Sequence, residues 1–366
     1  MKKTIAIFLA LALLLCGCGQ TVVETVPTTE EPTTEATTEP TTEPTTEPAP
    51  VYYNPLNGAE LSEPYTGRIF AHIISNTKDA LPHVGVDKAD ILFEVYASAG
   101  VVRCLALFTD IESAEAIGAT RSTRLVFNDI TQHYDAILTH AGGSALVLED
   151  AANREIDDYN VDSLYRKVGT LGADTAYRDT EYDRYSPNNL FGYGPGIVAY
   201  VKDQGVSTTQ PEDKDYFLTF TEDGTPAGGE TAEEITITFG QKTKTTTMTY
   251  DESLGRYVYS QYGQVMCDQI TGEPETFENV VIMRANMGFN SIYSTVDFVA
   301  GGEGYYACGG KLIPISWSCP DEDSPFRFTT VDGEPLDFGT GNSYIAIVNY
   351  DNEVTYGAAP APAEAE

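Results

Sequence analysis

Asp90-Ile-Leu-Phe-Glu-Val-Tyr96 and Val101-Val-Arg-Cys-Leu-Ala-Leu-Phe108, separated by Ala99-Gly100, decide the fold class. Both runs are of strand length and rich in β-branched and aromatic residues. A small residue followed by glycine is turn chemistry, so the pair reads as a β-hairpin. Toward the N-terminus, Arg68-Ile-Phe-Ala-His-Ile-Ile-Ser75 reads as another strand. Toward the C-terminus, Leu125, Val126 and Ile130 recur at helical spacing between Ser122 and His133. Asp135-Ala-Ile-Leu-Thr-His140 returns to strand, Gly142-Gly143 interrupts, and Ser144 stands as the N-cap of a helix through Ala152.

From about Thr208 the helical signals fade. Glu234-Ile-Thr-Ile-Thr-Phe239 alternates, and Thr245–Tyr250, Arg256–Ser260, Val280–Met283, Thr295–Ala300, Tyr305–Cys308 and Leu312–Trp317 follow as strands. Ser343–Asn349 reads as the closing strand. Turn signals recur at the short spacing of antiparallel sheets. The expected class is α+β: an N-terminal mixed α/β domain over 51–205 and a C-terminal strand-rich domain over 206–350. A disordered acidic tail is expected over 351–366.

Ahead of these domains, Lys2 and Lys3 precede an apolar run from Ile5 to Leu15 and then Leu15-Cys16-Gly17-Cys18. This is the pattern of a secretory signal, 1–17, that ends on a cysteine to be lipidated. Gly17 supplies the small residue before Cys18, whereas bulky Leu15 precedes Cys16. The apolar run is short of the ~20 residues that a spanning helix needs. The expectation is a chain anchored through lipid on Cys18 at the outer face of the cytoplasmic membrane. Residues 18–50 read as a disordered spacer, in which Pro27 to Pro48 cycle through Thr-Thr-Glu-Pro units with Ala36 as the one apolar residue. At ~3.1 Å per residue, such a spacer reaches on the order of 100 Å.

The formal net charge is −34. Setting aside Lys2 and Lys3 of the leader, the Glu residues of the spacer and the acids from Asp351 onward leaves 19 basic against 44 acidic groups. A body so acidic repels nucleic acid and anionic surfaces, which excludes non-specific polyanion binding. It leaves room for a local basic pocket.

Cys104, Cys267, Cys308 and Cys319 remain after the leader. They are open to two readings, buried apolar thiols or disulfides, with Cys308 and Cys319 flanking a hairpin as the candidate pair. No Cys-x-x-Cys or Cys/His cluster points to zinc, and neither a metal nor a cofactor is expected.

Several stretches resemble the YerB-like lipoproteins, a bacterial family of unknown function. They are Pro82-His-Val-Gly-Val-Asp-Lys-Ala-Asp-Ile-Leu-Phe-Glu-Val-Tyr96 with Gly100-Val-Val-Arg103, Ile117-Gly-Ala-Thr-Arg-Ser-Thr-Arg124 and Tyr134-Asp-Ala-Ile-Leu-Thr-His-Ala-Gly-Gly-Ser144. Ser186-Pro-Asn-Asn189, Asp268-Gln-Ile-Thr-Gly272 and Gly309-Gly-Lys-Leu-Ile-Pro-Ile-Ser-Trp317 continue in the same order. The resemblance implies an extracytoplasmic two-domain α+β protein and no particular reaction. It departs at Met266, near which family members often carry His.

Arg121 and Arg124 bracket Ser122 and Thr123 at a helix start, on one face. Two guanidiniums beside free helix amides can hold a carboxylate or phosphate. The competing reading pairs both arginines with Asp90, Glu94 or Asp129. The candidate ligand-binding set is Arg103, Arg121, Ser122, Arg124, His140, Gly142, Gly143 and Ser144, for a small anionic or cell-wall-derived ligand.

The function expected is a binding or accessory module. One alternative is a cell-envelope hydrolase using the His140–Ser144 region, although no Gly-x-Ser-x-Gly elbow is present. Another is a structural partner-binding envelope protein. Glu94 with Asp135 is considered as a carboxylate pair for glycan hydrolysis. Two acidic groups are considered for calcium: Asp174, Asp179, Glu181 and Asp183, and Glu149, Asp150, Asp157 and Asp158. Neither has EF-hand spacing.

Overall fold

The computed structural model describes residues 50–162, 175–180, 184–212, 214–240 and 244–360. Cys18 and nearly all of the spacer lie outside these residues, as do Asp174, Glu181 and Asp183 of the first acidic group.

The hairpin read from the sequence forms as β2 (Ile91–Ser98) and β3 (Val101–Phe108), preceded by β1 (Phe70–Ser75). β3 pairs antiparallel with both β1 and β2, and Gly100 turns the hairpin at φ +75°. Then come α1 (Leu125–His133), β4 (Ile137–His140), α2 (Ala145–Asn153) and β5 (Asp158–Asn160), with β1, β4 and β5 parallel in that order. Ser144 is the N-cap of α2, its hydroxyl accepting from Val147 N.

The second half supplies β6 (Glu234–Phe239), β7 (Lys244–Asp251) and β8 (Arg256–Gln261), an antiparallel meander. Next are β9 (Asn279–Ala285), the hairpin β10 (Met287–Asn290) and β11 (Tyr293–Val296), and the hairpin β12 (Gly302–Cys308) and β13 (Lys311–Ser318). β14 (Ser343–Asn349) and β15 (Val354–Gly357) complete the body.

The chain is mainly β, which corrects the α+β expectation. Helices are short, and even the first half is built around strands. Two further readings change. Ser343–Asn349 does not close a sheet edge. It inserts between β9 and β2, parallel to both, so one 13-stranded sheet carries strands of both halves. Its run Tyr344-Ile-Ala-Ile-Val348 is buried throughout, as a parallel strand covered on both faces requires. Val354–Gly357, read as disordered tail, pairs with β6.

The strand expected over Thr295–Ala300 is β11, which lies earlier and pairs with β10 and β2. No disulfide forms among the four described cysteines. Cys308 faces Lys311 across the turn, whereas Cys319 lies beyond the far end of β13, roughly 25 Å away at ~3.3 Å per residue.

Side chains on opposite faces of the shared sheet feed two cores. Leu92, Cys104, Ala106, Phe108 and Tyr344 pack on Ile235, Ile237, Phe239, Met248, Tyr257 and Tyr259 of the meander. Phe93, Val95, Leu105 and Leu107 pack beneath Val126, Phe127 and Ile130 of α1, together with Trp317, Phe326 and Phe328. Each core therefore draws on both halves of the sequence.

His72 of β1 is fully buried, its Nδ1 2.7 Å from Thr139 Oγ1 and its Nε2 2.8 Å from Thr120 Oγ1. Burial, and then the neighbouring His140, push its pKa down to about 3. The unfolded chain titrates at about 6.5. Stability contributed by neutral His72 is complete above that value and drains as the pH falls toward the folded value. The unfolding free energy of His72→Gln, from denaturant titrations between pH 6 and pH 4, is expected to fall less steeply than that of the wild type, by up to about 1.4 kcal/mol per pH unit. Equal slopes would mean that His72 titrates normally in the fold.

Candidate anion-binding site

Arg103 lies on β3, opposite Ser75 of β1 and Val95 of β2, on the same sheet face as Leu105 and Leu107. Arg121 and Arg124 lie in the segment that leads from the Ile117–Gly118 strand into α1. Arg121 N donates to Ile73 O at 3.1 Å and Thr123 N to Gly142 O at 3.0 Å. Ala141 N donates to Arg121 O at 2.9 Å, and Ser122 Oγ donates to Ala141 O at 2.8 Å. The segment is thereby stitched between β1 and the 140–144 turn, and the two motifs singled out in the sequence meet.

The guanidiniums have only carbonyl and aromatic partners among the described residues. Arg103 Nη1 donates to Ser122 O at 2.6 Å, and Arg124 Nη1 to Thr123 O at 2.6 Å. The Arg124 guanidinium also lies 5.3 Å from the centroid of the Tyr293 ring on β11, a cation–π contact. The Nε atoms of Arg103, Arg121 and Arg124 are all buried without a hydrogen-bond partner. Arg103 is only 4% exposed.

The carboxylates that could have neutralised these arginines are engaged elsewhere. Asp90 accepts from Asn54, Asn57 and Thr109. Glu94 pairs with Lys244, and Asp129 with Arg154 at 2.7 Å. Burial, and then the like charges of Arg124 and Arg121, push Arg103 far below its ordinary value. Burial also lowers Arg121 and Arg124. Like charges held together out of water are costly unless an anion joins them.

The 140–144 turn frames the cluster. His140 sits with Nδ1 2.8 Å from Gly142 O and Nε2 2.9 Å from Asp158 Oδ2. Gly142 has φ +80°, which a side chain would oppose. Thr123 Oγ1 donates to Asn128 Oδ1 at 2.9 Å, and Asn128 Nδ2 donates to Val147 O and to Asp150 Oδ2, both at 2.9 Å, which locks α1 to α2. The Arg124 N-cap makes no side-chain bond to the α1 amides.

This arrangement offers charge and donors and no nucleophile. Ser144 Oγ caps α2, and none of the four histidines is bonded to a serine hydroxyl among the described residues: His72 meets threonines, His83 Glu275, His133 Cys319 and the Ser324 backbone, and His140 Asp158. Glu94 and Asp135 share no cleft, because Glu94 is buried under the meander while Asp135 is bound to Arg68. Asp150, Asp157 and Asp158 are each paired with a cation or histidine, and no metal-binding cluster occurs among the described residues. A cavity of about 740 Å³ lies apart from the cluster, lined by Arg68, Asp135, Arg154, Asp157, Lys214 and Asp323.

Sequence reasoning missed Tyr293 and Asn128. Tyr293 reaches Arg124 only through the pairing of β11 with β2, which no local spacing announces. Asn128 reads as an ordinary helix residue until α2 is placed beside it.

Two family models match the chain: the N-terminal domain of a protein of unknown function (DUF3048) over residues 56–207, and the C-terminal domain of the same family over residues 235–345. The chain is 26% identical over 302 residues to "Putative lipoprotein YerB" of Bacillus subtilis (strain 168), covering 80% of this chain and 85% of the relative. It is also similar in fold to the crystal structure of YerB protein from Bacillus subtilis. That match has a TM-score of 0.70 and 23% identity, over 83% of this chain and 99% of the other.

Proposed function

Because the chain belongs to the two-domain YerB-like family, we propose that it is an extracytoplasmic lipoprotein whose first half binds a small anion through Arg103, Arg121 and Arg124. The anchor is lipid on Cys18, and the Thr/Glu/Pro spacer holds the body away from the outer face of the membrane. The relative's name supports the lipoprotein reading. No helix among the described residues is long and apolar enough to cross a membrane.

The observation that carries the binding reading is the absence of any carboxylate partner for three clustered arginines, one buried and two half-buried, among the described residues of a strongly acidic chain. A structural arginine cluster would recruit one of the abundant acids, as Arg68 and Arg154 do. The ligand class is a carboxylate or phosphoryl group, free or carried on a cell-wall fragment. Arg forks bind both bidentately, and the free amides at the start of α1 add to the field. Gly142, Gly143 and Ser144 let the turn approach closely, and His140 holds that turn against Asp158.

The test is thermal unfolding of the purified chain in low-salt buffer against rising phosphate, sulfate and a mixture of muropeptides. A concentration-dependent rise in Tm with at least one of them is expected, because a ligand bound only to the native state stabilises it by mass action. Unfolding indifferent to all three up to tens of millimolar would remove the binding reading.

A further inference from the structure

We propose that Lys244 and Asn76 become joined by a side-chain amide bond, formed within the folded protein, with Glu94 carrying the proton. Asn76 follows β1, Glu94 is on β2, and Lys244 opens β7 in the other half of the chain. The Lys244 ammonium contacts Glu94 Oε1, and Asn76 Nδ2 donates to that same oxygen at 2.8 Å. Lys244 Nζ and Asn76 Nδ2 are also each 3.1 Å from Tyr259 Oη. Amine and carboxamide thus share two polar partners and stand side by side. Glu94 Oε2 is held by Tyr344 Oη at 2.6 Å, Thr246 Oγ1 at 3.0 Å and Tyr259 Oη at 3.1 Å.

The enclosure suits the reaction. Asn76 and Glu94 are fully buried and Lys244 is 4% exposed. The Lys244 ammonium lies within 6 Å of the ring centroids of Phe239, Tyr259 and Tyr262. Burial excludes water from the pair and holds the amine and the carboxyl in fixed contact. The Asn76 carbonyl oxygen has no partner among the described residues. Turning the amide over places that oxygen against Glu94 Oε1 and Tyr259 Oη, where Glu94, once it has taken the Lys244 proton, donates to it and polarises the carbonyl for attack.

The steps balance. Lys244 gives a proton to Glu94, and the neutral amine adds to Cγ of Asn76. Glu94 returns a proton to the amide nitrogen, the C–N bond breaks and ammonia leaves. The second proton lost by the amine remains on Glu94 or departs with ammonia as ammonium. No oxidant or cofactor takes part, and holding the groups together supplies the effective concentration. The product replaces a buried ion pair by a neutral amide. It also ties the two halves covalently, in a body whose described cysteines form no disulfide.

Peptide mass spectrometry of the purified full chain tests this. Tryptic digestion is expected to yield Ile69–Lys78 joined to Thr243–Arg256, without cleavage after Lys244 and about 17 Da (one ammonia) below the sum of the two peptides. Lys244→Arg and Glu94→Gln are expected to restore the separate peptides at full mass. Three results would each overturn the proposal: wild-type peptides found separate at full mass, an ammonia loss confined to the Asn76 peptide, or a loss of water linking Lys244 to Glu94. The wild-type measurement stands even if a variant fails to fold.

Discussion

Lys244→Met is expected to lower the stability of the body by about 3–5 kcal/mol, because it strands the Glu94 carboxylate in a dry core. Glu94 lies beneath Tyr259 and Tyr344, fully buried, with Lys244 as its cationic partner. A charge left there must either be protonated or unfold its surroundings. In a body of this size the loss corresponds to a fall in Tm on the order of 10 °C. The double variant Lys244→Met/Glu94→Leu is expected to regain only part of it. An apolar pair fills the space, but Asn76, Thr246, Tyr259 and Tyr344 then lose a common acceptor. A single-variant loss below 1 kcal/mol would mean that water reaches Glu94, and that the pairing of β14 with β2 and the apolar packing hold the two halves without help from this ion pair. The same substitution removes the nucleophile of the proposed amide bond, so any covalent contribution adds to the loss.

The second large effect concerns the arginines. Arg121→Gln and Arg124→Gln are each expected to weaken anion binding about 10- to 100-fold, since a charge-assisted hydrogen bond is worth about 1.5–3 kcal/mol. The double variant is expected to lose the Tm response to phosphate altogether. Without ligand the same variants should be as stable as the wild type or more so, because each removes a like charge from a crowded, partly desolvated cluster. Arg154→Gln serves as the contrast. Its guanidinium joins Asp129 and Asp150 at 2.7 and 3.1 Å, so its loss is expected to destabilise the fold and leave anion binding intact. A double variant that is destabilised and still responds to phosphate would show the cluster to be structural.

The local parts of the candidate site were legible in the residue order. The i, i+3 spacing of Arg121 and Arg124 and the entry into α1 follow from residue order. Ser144 as N-cap and Gly142 at positive φ follow from turn and cap chemistry. What could not be read was whether the arginines are paired. Asp90, Glu94 and Asp129 were equally available on paper. Asp90 is drawn off by Asn54, Asn57 and Thr109, Glu94 by Lys244 and Asp129 by Arg154. These partners lie on other strands, helices or loops, and no periodicity in the chain brings them near.

The sequence by itself determined most of the strand runs, the β2–β3 hairpin, α1 and α2, and the order of family motifs. Period, cap and turn preferences act over a few residues, so a linear reading recovers them. Tertiary structure alone decided that Ser343–Asn349 enters the middle of the shared sheet and that both halves build each core. It also decided that Glu94 meets Lys244 and that Arg103, Arg121 and Arg124 are left together without an acid among the described residues. Those outcomes depend on strand order and on which side chains lose their water together. Both are set by contacts between residues far apart in the chain.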